Sequence, residues 1–166
     1  MSEKSESYMR ILMVCLGNIC RSPIAEGLLK AKSAAAGLDW FIDSAGTEKY
    51  HIGKPPHQFS QNICLQHGID ISEQRARKFT PADLTGYDLV YAMADDVLRE
   101  IRRISGPNAD YSHVKLFLEE RDPGSGASVP DPWYGDEAGY TGVYEMIDSC
   151  CDAVIKNHGS ISTDPA

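Results

Sequence analysis

Residues Val14 to Pro23 read Val-Cys-Leu-Gly-Asn-Ile-Cys-Arg-Ser-Pro, with the thiol of Cys15 six positions ahead of the guanidinium of Arg21. A segment this short must turn tightly, and Gly17 and Asn18 are residue types that tolerate unusual backbone angles. Successive amides in such a turn converge into a nest for an oxyanion, reinforced by the positive end of a following helix. Leu16, Gly17, Asn18, Ile19 and Cys20 would then form the cradle of a tetrahedral dianion. Arg21 adds a planar fork that matches two phosphate oxygens, a geometry lysine does not offer. Cys15 would lie beneath the cradle, where these donors favour a negative sulfur and bring its pKa below the free value of about 8.5. Ser22 either caps the helix or donates toward that sulfur. A thiolate beside bound phosphate attacks phosphorus directly, and amides and guanidinium take the equatorial charge, so neither metal nor cofactor is expected.

A buried cysteine at a strand end is commonly core filler, and a cysteine six residues before an arginine also arises by chance. The context selects the chemical reading: an apolar run before, a Ser-Pro helix start after, Gly and Asn within. No Gly-Lys-Ser/Thr follows, which excludes a Walker-type phosphate loop. An alkoxide or phenoxide leaves more easily with a proton delivered to it. Val129-Pro130-Asp131-Pro132-Trp133-Tyr134 is the best source of one. Two prolines stiffen the chain around Asp131, and Trp133 and Tyr134 supply walls for a planar leaving group.

These residues need elements to hold them. Arg10–Cys15 is a continuous apolar run, as in a strand buried on both faces. Ser22 as N-cap, Pro23 at the first helical position and Gly37 past the end predict a helix over about 23–36. Strands are expected at Trp40–Ser44, Tyr87–Met93 and Val114–Leu118, with helices at Gln58–His67, Asp95–Ile104 and about 139–156. Thr80-Pro81 with Asp83 predicts a short capped helix. Four strands alternating with helices imply an α/β fold, a single doubly wound domain with a four-stranded parallel sheet flanked by helices on both faces. In that architecture ligands sit at the carboxyl ends of strands, where Cys15 falls. The 166 residues fit one domain over 8–158, with polar flexible tails at 1–7 and 159–166.

Composition bounds the partners. Sixteen Lys and Arg against 24 Asp and Glu leave a net charge of −8, without the broad basic footprint of a nucleic-acid or anionic-membrane binder. The longest apolar runs are six residues, against the ~20 a bilayer requires. Five irregularly spaced cysteines suit reduced thiols better than a disulfide framework. As zinc ligands they lack a matching second pair. The five histidines are scattered and suggest no second centre. The opening residues lack the apolar core of a secretory signal. A cytoplasmic monomer is the expectation.

Together the two loops resemble the low molecular weight protein tyrosine phosphatases. Val14–Pro23 matches that family's phosphate loop at every fixed position, and Asp131-Pro132-Trp133-Tyr134 stands for its acid loop. Asp43-Ser44-Ala45-Gly46-Thr47, with His51 and Pro55-Pro56 downstream, matches a further block, as do His67-Gly68-Ile69 and Ala76-Arg77. The similarity runs from about residue 9 to 157. It implies that Cys15 forms a phosphocysteine, that Arg21 clamps phosphate, and that Asp131 protonates the phenol and then deprotonates water. It implies that Ser22 lowers the thiol pKa, that Asn18 and Ser44 hold the loop in shape, and that Tyr50, Trp133 and Tyr134 wall the pocket. The substrates it implies are phosphotyrosine proteins and small aryl phosphates. Cys20 corresponds to the family's second loop cysteine, able to form a reversible disulfide with Cys15, though a small packing residue fits the position equally.

Two departures stand out. Gln74 lies near a loop-supporting histidine of many members, and Trp133 replaces a tyrosine. Arsenate reductases share the fold and loop, but their further thiols are missing from Tyr87–Ile104. Arginine phosphatases of the family carry threonine where this chain has Ile19, whose apolar side chain suits an aromatic ring. A phosphate-binding module without catalysis would have no use for Asp131.

Overall fold

The computed structural model describes residues 8–159. Residues 1–7 and 160–166, expected as tails, lie outside the described residues. Strands β1 (Met9–Cys15), β2 (Trp40–Gly46), β3 (Leu89–Ala92) and β4 (Val114–Leu116) form one parallel sheet in the order β2-β1-β3-β4. The central place of β1 explains its unbroken apolar run, because both of its faces are covered. Ile11, Met13 and Cys15 face one core, shared with α1 (Arg21–Ala35), α2 (Gln58–Gln66) and α5 (Gly139–His158). Leu12 and Val14 face the other core, shared with α3 (Pro81–Gly86) and α4 (Asp95–Ser105). This two-sided cover is the doubly wound arrangement that the alternation of elements implies.

Element ends differ from the expectation for local reasons. Helix α1 begins at Arg21, with Cys20 as its N-cap and no side-chain capping bond. Ser22 is therefore inside the first turn, and Pro23 stands there without cost because that turn's N–H groups have no helical partner. Gly37, at φ +72°, ends the helix as expected. The box of Thr80 and Asp83 caps α3. β3 is shorter than expected, pairing with only Ile11–Val14 of β1. Beyond Leu116 the chain coils into a 3-10 helix at Phe117–Glu120, and a second one occupies Pro132–Tyr134.

Candidate active site

The carboxyl end of β1 opens into a cavity of about 360 Å³. Its floor carries Cys15, Leu16, Gly17, Ile19, Cys20 and Arg21, and its rim Tyr50, Asp131 and Trp133. Nine of the residues singled out in the sequence thus surround one hollow. Asn18, Ser22 and Ser44 stand behind it, each almost wholly buried. Tyr134 ends the short 3-10 helix, and its side chain lies outside the described part of the structure.

The loop is held from behind by one amide. Asn18 is the sole non-glycine among the described residues at positive φ, +57°, a conformation that Asn adopts more readily than most residues. Its Oδ1 accepts from the Arg77 backbone N–H at 3.0 Å, which fixes the orientation of the amide. Its Nδ2 therefore donates to both hydroxyls, Ser22 Oγ at 2.8 Å and Ser44 Oγ at 2.9 Å. Ser44 donates its own proton to Glu26 Oε1 at 2.5 Å, and Glu26 is paired with Lys30 at 2.6 Å. Ser22 Oγ lies 3.0 Å from Cys15 Sγ. With Asn18 occupying one lone pair, the Ser22 hydroxyl is free to donate to sulfur. The capping alternative for Ser22 is not realised. Gly46 backs the same loop so closely that a Cβ there would sit 2.8 Å from Leu16 O and 3.0 Å from Asn18 N.

Arg21 is 3% exposed. Its Nη1 donates to Val129 O at 3.0 Å and its Nη2 lies 3.5 Å from Asp131 Oδ2. Its buried Nε has no partner among the described residues. Val129 N donates to Met93 O at 2.7 Å, anchoring the acid loop beside the end of β3. Asp131 Oδ1 accepts from Trp133 N at 3.1 Å, capping the turn that carries the aromatic wall. Trp133 is 43% exposed and Tyr50 74%, so the rim is open and apolar.

Cys20 is buried, with Sγ 3.4 Å from the Tyr140 hydroxyl. Burial pushes its thiol up to about 12, only partly countered by that hydroxyl. All five cysteines are free, and Cys64, Cys150 and Cys151 are buried in α2 and α5. Gln74 donates to Pro23 O at 3.1 Å and so braces the first turn of α1, while its Oε1 is buried without a partner among the described residues.

Sequence reasoning gave no role to four side chains at this site, although His51 falls in one of the blocks the resemblance rests on. Glu26 supports Ser44, Glu48 and His51 line the cavity, and His57 lies against Trp133 with ring centroids 5.5 Å apart. None has a spacing signal: Glu26 is brought in by the packing of α1, and the other three by the connection between β2 and α2. The one local clue is Pro55-Pro56, which stiffens the chain just before His57. Burial, and the nearby Lys54 charge, lower the pKa of His51 from its ordinary value.

A single α/β domain with one four-stranded parallel sheet is also what solved structures of similar chains show. The crystal structure of YfkJ from Bacillus subtilis matches with a TM-score of 0.83 at 35% identity, covering 90% of this chain and 94% of that one. The structure of a Drosophila arginine phosphatase matches with a TM-score of 0.84 at 27% identity, covering 92% and 99%. In sequence, the low molecular weight protein-tyrosine-phosphatase YfkJ is 36% identical over 147 residues, 87% of this chain and 92% of its own. The human low molecular weight phosphotyrosine protein phosphatase is 34% identical over 148 residues, 88% of this chain and 93% of its own. The sequence relatives mark the chain as a protein tyrosine phosphatase. The family model for low molecular weight phosphotyrosine protein phosphatase matches residues 10–161, and the chain belongs to that family.

Proposed function

We propose that residues 8–158 hydrolyse phosphotyrosine and small aryl phosphates through a phosphocysteine, with Cys15 as nucleophile, Arg21 as clamp and Asp131 as acid and then base. The observation that carries this reading is the convergence of Cys15, Arg21 and Asp131 on one cavity, with a buried guanidinium N–H of Arg21 left unpartnered among the described residues. In the first step the Cys15 sulfur forms a bond to phosphorus as the P–O bond to the aryl group breaks, and Asp131 gives its proton to the departing oxygen. The guanidinium and the cradle amides hold the equatorial oxygens throughout. In the second step the Asp131 carboxylate takes a proton from water, the new P–O bond forms and the S–P bond breaks. Inorganic phosphate leaves and the thiolate is restored. Ser22 stabilises that leaving sulfur, and Asn18 and Ser44 keep the cradle in shape behind it.

Ile19, Tyr50 and Trp133 favour an aromatic substrate, since a planar ring fills the gap between apolar walls. A panel of phosphotyrosine, phosphoserine and phosphoarginine peptides tests this preference. Hydrolysis of phenyl phosphate in excess chelator should vanish in Cys15→Ser. Asp131→Ala should slow phenyl phosphate by roughly 10²–10⁴-fold, as expected for losing a general acid, and 2,4-dinitrophenyl phosphate far less. A requirement for metal, or equal slowing of both substrates, would refute the mechanism.

A further inference from the structure

We propose that His57 is a positioning residue that ties the phosphate cradle to the acid loop. Its backbone N–H donates to Ile19 O at 2.7 Å, so the main chain of His57 is fastened to the cradle. Its side chain reaches the other way. Nδ1 accepts from Phe59 N at 3.1 Å, capping α2 and fixing the ring plane. In the neutral ring the proton is thereby assigned to Nε2.

The ring so fixed meets Trp133 edge-on, at 5.5 Å between centroids and 80° between planes. Its opposite support is Tyr140, stacked at 5.6 Å and 22°. Tyr140 is 1% exposed and belongs to the small core that also holds Ile19 and Cys20. His51 touches Trp133 as well, 5.5 Å away and tilted by 52°. Trp133 thus contacts two imidazoles while much of its surface faces solvent.

What Trp133 leans on matters because of where Asp131 is attached. Among the described residues, the acid loop's only regular element is the three-residue turn Pro132–Tyr134, too short to hold its own orientation. Asp131 Oδ1 accepts from the backbone N–H of Trp133, so a ring held in place by its neighbours steadies the stretch of main chain on which the carboxylate is capped. The path from cradle to acid therefore runs Ile19, His57, Trp133, Asp131, with contacts at every link.

The inference rests on the role proposed for Asp131, and the test separates the two. His57→Asn keeps a good helix-capping acceptor and the backbone bond to Ile19 but removes the ring. His57→Phe keeps a ring and removes the acceptor. The readout is kcat/KM for phenyl phosphate against 2,4-dinitrophenyl phosphate, since only the poorer leaving group needs a well-placed proton. In His57→Asn the ratio should fall on the order of three- to tenfold, the scale that losing one aromatic contact permits, with Tm lowered by a few degrees through the lost stacking on Tyr140. His57→Phe should lower Tm by several degrees and hold the ratio close to that of the unmodified chain. In an Asp131→Ala background, His57→Asn should produce no further change in the ratio. If Asp131→Ala shifts the ratio but His57→Asn does not, the positioning role is wrong and the acid assignment stands. If Asp131→Ala itself leaves the ratio untouched, both fall.

Discussion

Asn18 offers the sharpest quantitative test of how the cradle is held. Replacing it by alanine removes three hydrogen bonds: two buried ones donated to Ser22 and Ser44 and a part-buried one accepted from the Arg77 N–H. At about 1 kcal/mol for each neutral bond, this destabilises the fold by about 3 kcal/mol. Alanine also meets a cost of about 1–2 kcal/mol at φ +57°, a conformation L-residues with a Cβ avoid. Glycine escapes that second cost. Asn18→Ala should therefore lower the unfolding free energy by about 4–5 kcal/mol and Asn18→Gly by about 3 kcal/mol or a little more. Urea denaturation followed by tryptophan fluorescence measures both. The functional consequence is separable: in either variant Ser22 and Ser44 lose their common donor, so the Ser22 hydroxyl is no longer held toward Cys15 Sγ. For an aryl phosphate, kcat/KM should fall by at least tenfold in both variants under conditions where each remains folded. Full activity in a destabilised but folded Asn18→Gly would show that the cradle keeps its shape without the amide, and would refute a supporting role for Asn18.

Two further outcomes follow from other parts of the molecule. Burial of Glu120 would raise its pKa, but hydrogen bonds from Tyr91, Asn157 and His158, with the His158 charge, outweigh this and hold it at about 2. A group depressed in the folded state stabilises above its unfolded pKa and loses that contribution as pH falls through the folded one. Glu120→Gln should thus cost roughly 3 kcal/mol at neutral pH and flatten the loss of urea stability between about pH 5 and pH 2, whereas an unchanged acid slope would exclude Glu120 as its source. Gly46→Ala should impair kcat/KM much more than thermal stability, because the added methyl strikes the cradle's own backbone at Leu16 and Asn18. A fully active Gly46→Ala would mean that the loop yields without consequence.

How much of the fold and site is legible in the sequence depends on whether the determinant is local. The run Arg10–Cys15 announces a strand buried on both faces, and the residues after it announce a tight turn into a helix. Thr80, Pro81 and Asp83 spell out their own cap. The start of α1 is misread because Ser22 has the composition of a capping residue. Its hydroxyl is instead shared between Asn18 and Cys15, and nothing within the helix sequence reveals that competition. The end of β4 is equally illegible. Phe117 and Leu118 are as buried as strand residues, so hydrophobicity alone does not distinguish a continuing strand from a 3-10 turn packed on the same core.

The residues missed at the site have a common physical reason. Glu26, Glu48, His51 and His57 act at places set by the packing of α1, the β2–α2 connection and the acid loop, and no period in the sequence encodes such meetings. The same reason accounts for the division of labour between the segments. The cradle is written almost entirely within Val14–Pro23, because oxyanion binding needs consecutive amides. In the proposed mechanism the acid approaches from the far side of the phosphorus and so comes from a distant stretch of chain. Its placement then depends on side-chain contacts across a gap, with Arg21 reaching both Val129 and Asp131 and His57 reaching Trp133. Substitution of His57, which bridges without belonging to the phosphate clamp, should consequently alter how well a proton is delivered before it alters how well phosphate is bound. That order would not arise if cradle and acid loop were independent parts.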